Sequence, residues 1–538
     1  MSQIRVLLLT SSCATSGSSD SVAPSLGLYR LRHNLVHHGI DCDVIDQQLT
    51  TDGEIFSRLD NTAYDIIGIS VTHWMMESDL TLLWALRDIV QHSGHDAMFI
   101  AGGQSAAMNA QVWLENGFDL VVLGYAEATL LKICQHHGQR GNRSIHERFQ
   151  NVAGVAFLDQ NNQKIVNPTG PLGRDEFLQW STDAEIKIPY IDYWRYVGDR
   201  ATHILTFNNR SFIVKNARLY TSSRCLAKCG YCSSAESFFK ATQEGSAPFF
   251  MLNAEEVYQL IVNHVNTYGA QAFSFNDEDF LVGNRIGIQR IFELCERIII
   301  SKNEGILPND LKFSCQTRIT DFLTLGADRK RHINRPLIQI MKDAGFHNIS
   351  LGVETFSDRL LQCPSVNKSY MNTHDIHSVL NNMMDLGLFP TINLILGIPE
   401  TCEDDLRLTI QSALHYLSMP CQISSVIYMR SFPGAPLWNA PGYPTMDKCW
   451  THPKTGHCVK IPAYYCMHDP DMASLFDKLE EITNEELHLL RIANGWNDSR
   501  LLFRTATAIA TFSAIAKWIK SSELVTQTAH LMQNMANI

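Results

Sequence analysis

Cys225, Cys229 and Cys232 lie at C-x3-C-x2-C spacing within YTSSRCLAKCGYCSS, on a Gly- and Ser-containing loop that follows a strand-like run over residues 217–222. A short loop of this kind can fold three thiolates round one face of an iron–sulfur cube. Such cubes ordinarily take four cysteines. The nearest others, Cys134 and Cys295, are remote in the chain, so one iron is left without a protein ligand. An open metal position is what a catalytic site keeps and a structural site closes. The competing readings are a structural zinc and a chance group of buried thiols. Zinc would want a second C-x2-C or an H-x3-H pair, and no histidine lies between His203 and His264. Arg224 and Lys228 bracket the cysteines, a charge that suits an electron-rich cluster.

The elements that must hold this loop repeat. Strand patterns over 272–276, 311–319, 348–355, 390–398 and 422–429 follow it, separated by helix-length segments. One of these helices opens on a capping box, Asn253 to Glu256. Six strand–helix beats predict a partial (β/α)6 barrel over 216–440, with its chemistry at the carboxyl ends of the strands. The polar residues there are Asp277 and Glu278, Arg318, and Glu354 with Thr355; Gly397 and Glu400 end the fifth strand. Each charged one could equally be an ion-paired loop residue.

Residues 1–148 also alternate strand and helix, and runs such as DIIGIS and DLVVLG are apolar on both faces, as covered parallel strands are. The expectation is a doubly wound, Rossmann-like α/β sheet, binding its ligand at the carboxyl ends of the strands. Those ends read SSCATSGSS (11–19), SVTHWMM (70–76), GGQSAA (102–107) and GYAE (124–127). Small and hydroxyl residues leave room for a large ligand, although ordinary turns favour them too. No G-x-G-x-x-G appears, which argues against a dinucleotide.

At the cysteines the chain resembles the radical S-adenosylmethionine (SAM) superfamily. The resemblance implies that SAM chelates the open iron of a 4Fe-4S cluster and that Tyr231, just before the third cysteine, lies against the adenine. It also implies SAM contacts from Asp277, Glu278, Arg318, Glu354, Thr355 and Gly397. The usual paired glycines are missing before Glu278, and Asn393 stands for the first glycine of G-x-I-x-G-x-x-E in TINLILGIPE. The order of fragments in the first segment is similar to the cobalamin-binding domain found ahead of many such enzymes, and YMRSFPGAPLW to their closing segment. Cobalamin contacts are then expected at Ser11, Ser70, His73, Trp74, Gly102, Gly103 and Gly124. The D-x-H-x-x-G signature that ligates cobalt in other cobalamin proteins is absent, so no protein imidazole is expected on the lower face, with His73 the one competing ligand of its loop.

The family likeness spans about residues 1–440. It implies a cobalamin-dependent methyltransferase acting, through a 5′-deoxyadenosyl radical, on an unactivated carbon or phosphinate of a small molecule. An external electron donor of the flavodoxin or ferredoxin type would be its partner. A radical rearrangement, ring contraction or cyclisation with the same cofactors is the alternative. A cobalamin- or metal-sensing module is the reading of another class.

Residues 149–215 read as an irregular linker with a small hairpin and interdomain aromatics, Tyr190, Tyr193, Trp194 and Tyr196. Residues 441–538 read as a helical cap over the cavity. Its Cys449, Cys458, Cys466, His452, His457 and His468 could hold a second metal or supply a thiol. A net charge of -11 without basic runs disfavours nucleic acid. Fourteen cysteines argue for metal chemistry in a reducing compartment rather than for disulfides. The apolar stretch 505–516 is too short to span a membrane, so a cytoplasmic protein is expected.

Overall fold

The computed structural model describes residues 4–11, 23–138, 144–170, 173–182, 187–200, 214–233, 249–494 and 500–535. The first sheet holds β1 (Arg5–Thr10), β2 (Asp41–Asp46), β3 (Ile66–Ser70), β4 (Met98–Gly102) and β5 (Leu120–Val122), all parallel. Its order is β2-β1-β3-β4-β5, continued by the antiparallel hairpin β6 (Val155–Leu158) and β7 (Lys164–Asn167). Alternate residues of β1 and β3 go to two separate cores: Leu7, Leu9, Ile67 and Ile69 to one, Val6, Leu8 and Ile66 to the other. That is why these runs are apolar throughout. The hairpin corrects the boundary expected at 148: it belongs to this sheet, not to a linker.

The second sheet is β15-β14-β13-β10-β9-β8, every pair parallel and the ends unjoined. Its strands are β8 (Asn216–Leu219), β9 (Ala272–Phe275), β10 (Lys312–Thr317), β13 (Phe346–Glu354), β14 (Phe389–Gly397) and β15 (Gln422–Tyr428); a short hairpin, β11 (Leu323–Leu325) and β12 (Arg331–Ile333), lies between. One face packs an aromatic stack, Phe273, Phe275, Phe313 and Phe346, at centroid spacings of 5.3–6.1 Å. The other face is polar, with Asn216, Ser274 and Ser314 bonded in a row at 2.9 Å and Asn393 bonded to Ser350 at 2.8 Å. An open partial barrel with a polar lumen results. The predicted capping box forms, Asn253 and Glu256 each accepting from the other's backbone N–H.

Two pieces of chain join the domains. The expected irregular linker contains a helix, Tyr190–Arg200. From it Tyr190 and Trp194 donate to the carbonyls of Arg218 and Asn216 in β8, while Tyr193 donates to Asp46 at the end of β2 (2.6 Å). The second piece is the hairpin β16 (Thr445–Thr451) and β17 (Cys458–Tyr465). Its Trp450, Val459 and Ile461 are buried in a core of the first domain, and the His452 ring meets Trp84 edge-on at 4.0 Å. Burying a Val or Ile in this way is worth about 1.5–3 kcal/mol, so the tail clamps the first domain. Cys449 and Cys458 pair as a disulfide, with Cα atoms 6.0 Å apart, although the cysteine content of the chain argued against disulfides. Among the described residues no three metal-ligating side chains converge on a single ion. The final helices, Pro470–Asn494, Arg500–Trp518 and Ser522–Met535, pack on β15 and the helix Glu403–Leu417. Among the described residues no helix is long and apolar enough to cross a membrane.

Candidate functional site

The cysteine loop leaves the carboxyl end of β8 and is tied down on three sides. Asp277, buried after β9, accepts from the backbone N–H and hydroxyl of both Thr221 and Ser222, at 2.5–2.9 Å. Ser223 exchanges two bonds with Phe250, its N–H donating to the Phe250 carbonyl and its hydroxyl accepting the Phe250 N–H, both at 2.9 Å. At Gly230 an added Cβ would lie 2.1 Å from the Pro364 carbonyl oxygen. Only glycine allows the 364–366 backbone to cross there. Asn367 donates to the Lys228 carbonyl (2.7 Å) and the Leu437 N–H to that of Gly230 (3.0 Å).

The donor set fits a cluster. The Ala227 N–H points at Cys225 Sγ (3.3 Å), the kind of bond that tunes cluster thiolates. Burial pushes the Cys225 thiol up to about 12, with Asp279 adding and Arg318 opposing. Burial also raises Cys229, against the pull of Lys368. Two buried or half-buried cations therefore face the loop. They would favour the thiolate form that iron needs.

Beside the cysteines, Glu354 ends β13 at φ +65°, a conformation a non-glycine side chain adopts at a cost. Its Oε1 accepts from both Tyr231 Oη and Lys368 Nζ, each at 2.7 Å. Lys368 also donates to the Gly352 carbonyl (2.7 Å). Arg318 is held by two carboxylates, Nε to Asp279 at 2.8 Å and Nη2 to Asp321 at 3.0 Å. The three acidic residues after β9 therefore divide. Asp277 and Asp279 are consumed by the scaffold, while Glu278 is half-buried with no side-chain partner among the described residues. Burial raises its carboxyl to about 7. Thr355 turns away from this group: it is buried and its hydroxyl meets that of Thr409 at 2.9 Å. At Gly397 an added Cβ would meet the Ile427 carbonyl at 2.5 Å and the Phe476 ring at 3.0 Å, so it serves close packing against β15 and the helix Pro470–Asn494. Glu400 accepts from Ser365 and Tyr443, at 2.5 and 2.6 Å.

In the first domain a cleft of about 220 Å³ opens at the carboxyl ends of β1, β3, β4 and β5. Ser70, Gly102, Gly103 and Gly124 line it, with Tyr125 and the ion pair Arg30–Glu127 (3.2 Å). An added Cβ at Gly102 would meet nothing within 4 Å, so this glycine borders open space, whereas at Gly103 (φ +105°) a Cβ would lie 3.0 Å from the Val71 carbonyl oxygen. Ser11 and His73 do not line it. Ser11 donates to buried Asp79 (2.5 Å), whose other oxygen accepts the Thr72 N–H (2.8 Å). The His73 ring reaches across to the clamp, with Nε2 2.6 Å from the Pro462 carbonyl and the ring edge-on to Trp438. Residues 12–19 and the Trp74 side chain lie outside the described part.

Asp79 thus ties the loops after β1 and β3 together. Burial raises its carboxyl to about 7, opposed by Ser11 and Thr72. Between the unfolded value and that value the folded chain holds the extra proton, so stability falls as pH rises. The Asp79 contribution to stability should fall from pH 4 to pH 7 with a slope approaching about 1.4 kcal/mol per pH unit. Asp79→Asn should flatten that part of a pH series of unfolding midpoints.

The two sites meet at Tyr125. Its hydroxyl donates to the Ser223 carbonyl at 2.8 Å, two residues before Cys225. Neither Tyr125 nor Lys368 was singled out by sequence reasoning. Lys368 sits in SVNKSY, which matches no motif, and Tyr125 looked like part of a turn.

A B12-binding domain matches residues 14–133. An uncharacterized methyltransferase of Pyrococcus horikoshii is 22% identical over 78% of this chain and 78% of its own. The cytidylyl-2-hydroxyethylphosphonate methyltransferase of Streptomyces wedmorensis is 20% identical over 65% of this chain and 61% of its own. Two solved structures share the fold. The radical SAM methyltransferase TsrM from Kitasatospora setae, with cobalamin and a 4Fe-4S cluster bound, has a TM-score of 0.62 at 13% identity, over 86% of this chain and 84% of that one. The cobalamin-dependent SAM radical enzyme OxsB, with aqua-cobalamin bound, has a TM-score of 0.66 at 14% identity, over 99% and 75%. The chain joins a B12-binding domain to the fold of cobalamin-dependent radical SAM enzymes.

Proposed function

We propose that this chain, built as a cobalamin-dependent radical SAM enzyme, transfers a methyl group to an unactivated carbon or phosphinate centre of a small molecule. The observation that carries the reading is the adjacency of its two sites: the three-cysteine loop is bonded directly to the rim of the first-domain cleft through Tyr125 and Ser223. Both named relatives are methyltransferases, which supports methyl transfer over rearrangement.

Cys225, Cys229 and Cys232 would hold the cluster, and the cleft at Ser70, Gly102, Gly103 and Gly124 part of the cobalamin. When bound, these groups and SAM supply one-electron chemistry and a transferable methyl group, which side chains cannot provide. The chain's own part is binding and orientation. Glu278 offers an unshared carboxylate to the SAM ammonium, and a bound cation there would return its proton affinity toward the ordinary range. Tyr231, fixed by Glu354, presents a flat ring to the adenine. Arg318 is committed to Asp279 and Asp321 through Nε and Nη2, leaving Nη1 for a carboxylate.

Anaerobic incubation with SAM and a reductant tests the reading. Deoxyadenosine and S-adenosylhomocysteine are expected together. Deoxyadenosine without S-adenosylhomocysteine would remove methyl transfer and favour a rearrangement; neither product would remove the enzyme. For the lower face of cobalt, the His73–Pro462 bond leads us to expect no protein nitrogen. A nitrogen superhyperfine pattern in the cobalt(II) electron paramagnetic resonance spectrum that vanishes in His73→Ala would overturn this.

A further inference from the structure

Tyr125 occupies a position that the binding roles above do not explain. It follows Gly124, whose left-handed backbone (φ +65°) turns the chain out of β5 at the lip of the cleft. Its ring lies edge-on to Phe177 at 6.4 Å, and Phe177 stacks on Phe250 at 6.0 Å. Phe250 is the residue that exchanges two backbone-directed bonds with Ser223. Ser223 in turn takes the Tyr125 hydroxyl on its carbonyl. Four segments thus close into one knot: the lip of the cleft, the helix Arg174–Thr182, the root of the cysteine loop, and Phe250 on the approach to the helix Ala254–Tyr268. In it Ser223 has its N–H, hydroxyl and carbonyl all engaged.

We propose that Tyr125 is a positioning residue that sets the spacing between the cysteine loop and the corrin-bearing lip of the first domain. The proposal rests on the two-cofactor reading above. The physical grounds are direct. The other described ties between the domains, Tyr193 to Asp46 and the β16–β17 clamp, hold the body of each domain, while Asp277, Asn367 and Leu437 hold the cysteine loop to the barrel. Tyr125 bonds the lip of the first domain directly to the root of the cysteine loop, two residues from its first ligand. Its aromatic ring is held by packing, so the hydroxyl has little freedom to follow a loop that drifts. Burial keeps the phenol protonated and therefore a donor at any working pH.

Tyr125→Phe keeps the ring and removes the hydroxyl that donates to Ser223. The test loads wild type and variant with cobalamin and iron, poises both the cobalt(II) and the reduced cluster, and reads their mutual spin coupling by electron paramagnetic resonance. The expected result is unchanged occupancy of each centre with a weaker or broader coupling in Tyr125→Phe. Methyl transfer should fall about tenfold while deoxyadenosine release falls less. Phe177→Leu, which loosens the ring platform but keeps the hydroxyl, should shift the coupling in the same direction and serves if Tyr125→Phe folds poorly. Identical coupling in wild type and both variants would overturn the positioning role, as would loss of iron from Tyr125→Phe with cobalamin retained, which would make the tyrosine a support of the cluster loop alone. A wild type that binds neither or only one of the two centres would instead defeat the two-cofactor reading, so the two failures are distinct.

Discussion

A variant with Cys225, Cys229 and Cys232 all replaced by Ala is expected to purify without iron and to release no deoxyadenosine from SAM. The loop around these residues is held by Asp277, Phe250, Asn367 and the 364–366 crossing at Gly230, none of which uses a sulfur. Its backbone should therefore survive the change, and the loss would report on the cluster and not on folding. Iron content, the charge-transfer absorbance of the anaerobically reconstituted protein and deoxyadenosine release are the measurements. Retained SAM cleavage in the triple variant would remove the assignment. Iron that persists there would point to a second site among the remaining cysteines, of which Cys466 is half-exposed.

Lys368→Met should have the next largest effect. Lys368 and Glu354 form an ion pair whose side chains are only 5% and 8% exposed. Such a pair contributes little net stability, but removing one partner strands the other charge, at about 3–5 kcal/mol. Glu354 is poorly placed to absorb the loss, because it already sits at φ +65° and holds Tyr231. We expect a lower barrel unfolding midpoint and weaker SAM binding. Glu354→Gln should weaken SAM affinity about tenfold or more without loss of iron, since a hydrogen bond to a charged group is worth about 1.5–3 kcal/mol. The double variant Glu354→Gln/Lys368→Met should recover part of the stability lost by Lys368→Met, because it leaves no buried charge. An unchanged midpoint in Lys368→Met would mean that water or another cation takes the place of the lysine beside Glu354.

The cysteine spacing, the two strand–helix alternations and the positions of the barrel strands were legible because each is a local pattern. Period and spacing are set by the geometry of one loop, one strand or one helix, so they survive in one dimension. The strands expected at 272–276 and 348–355 lie within two residues of β9 and β13 at each end. The acidic run after β9 was legible as a site but not in its division of labour. Only the folded chain shows that Asp277 and Asp279 are bonded into the scaffold while Glu278 has no side-chain partner among the described residues, because successive residues face opposite ways and each face meets a different part of the chain. Thr355 was misplaced for the same reason: its neighbour Glu354 faces the cysteines and Thr355 faces the core.

What the sequence determined by itself is the identity of the chemical groups and the elements that carry them. The tertiary structure decided which of those groups meet. Tyr231 finds Glu354 across 123 residues, Tyr125 finds Ser223 across 98, and His73 finds Pro462 across 389. The tail illustrates the point most fully. Its cysteines and histidines left a second metal or a reactive thiol open, yet its hairpin buries Trp450, Val459 and Ile461 in the first domain and spends His452 on Trp84. Burial of an apolar face is non-directional and can be satisfied by any complementary surface, so nothing in the hairpin's own pattern names the partner. That choice is made only when both domains are folded and their remaining apolar faces are brought together.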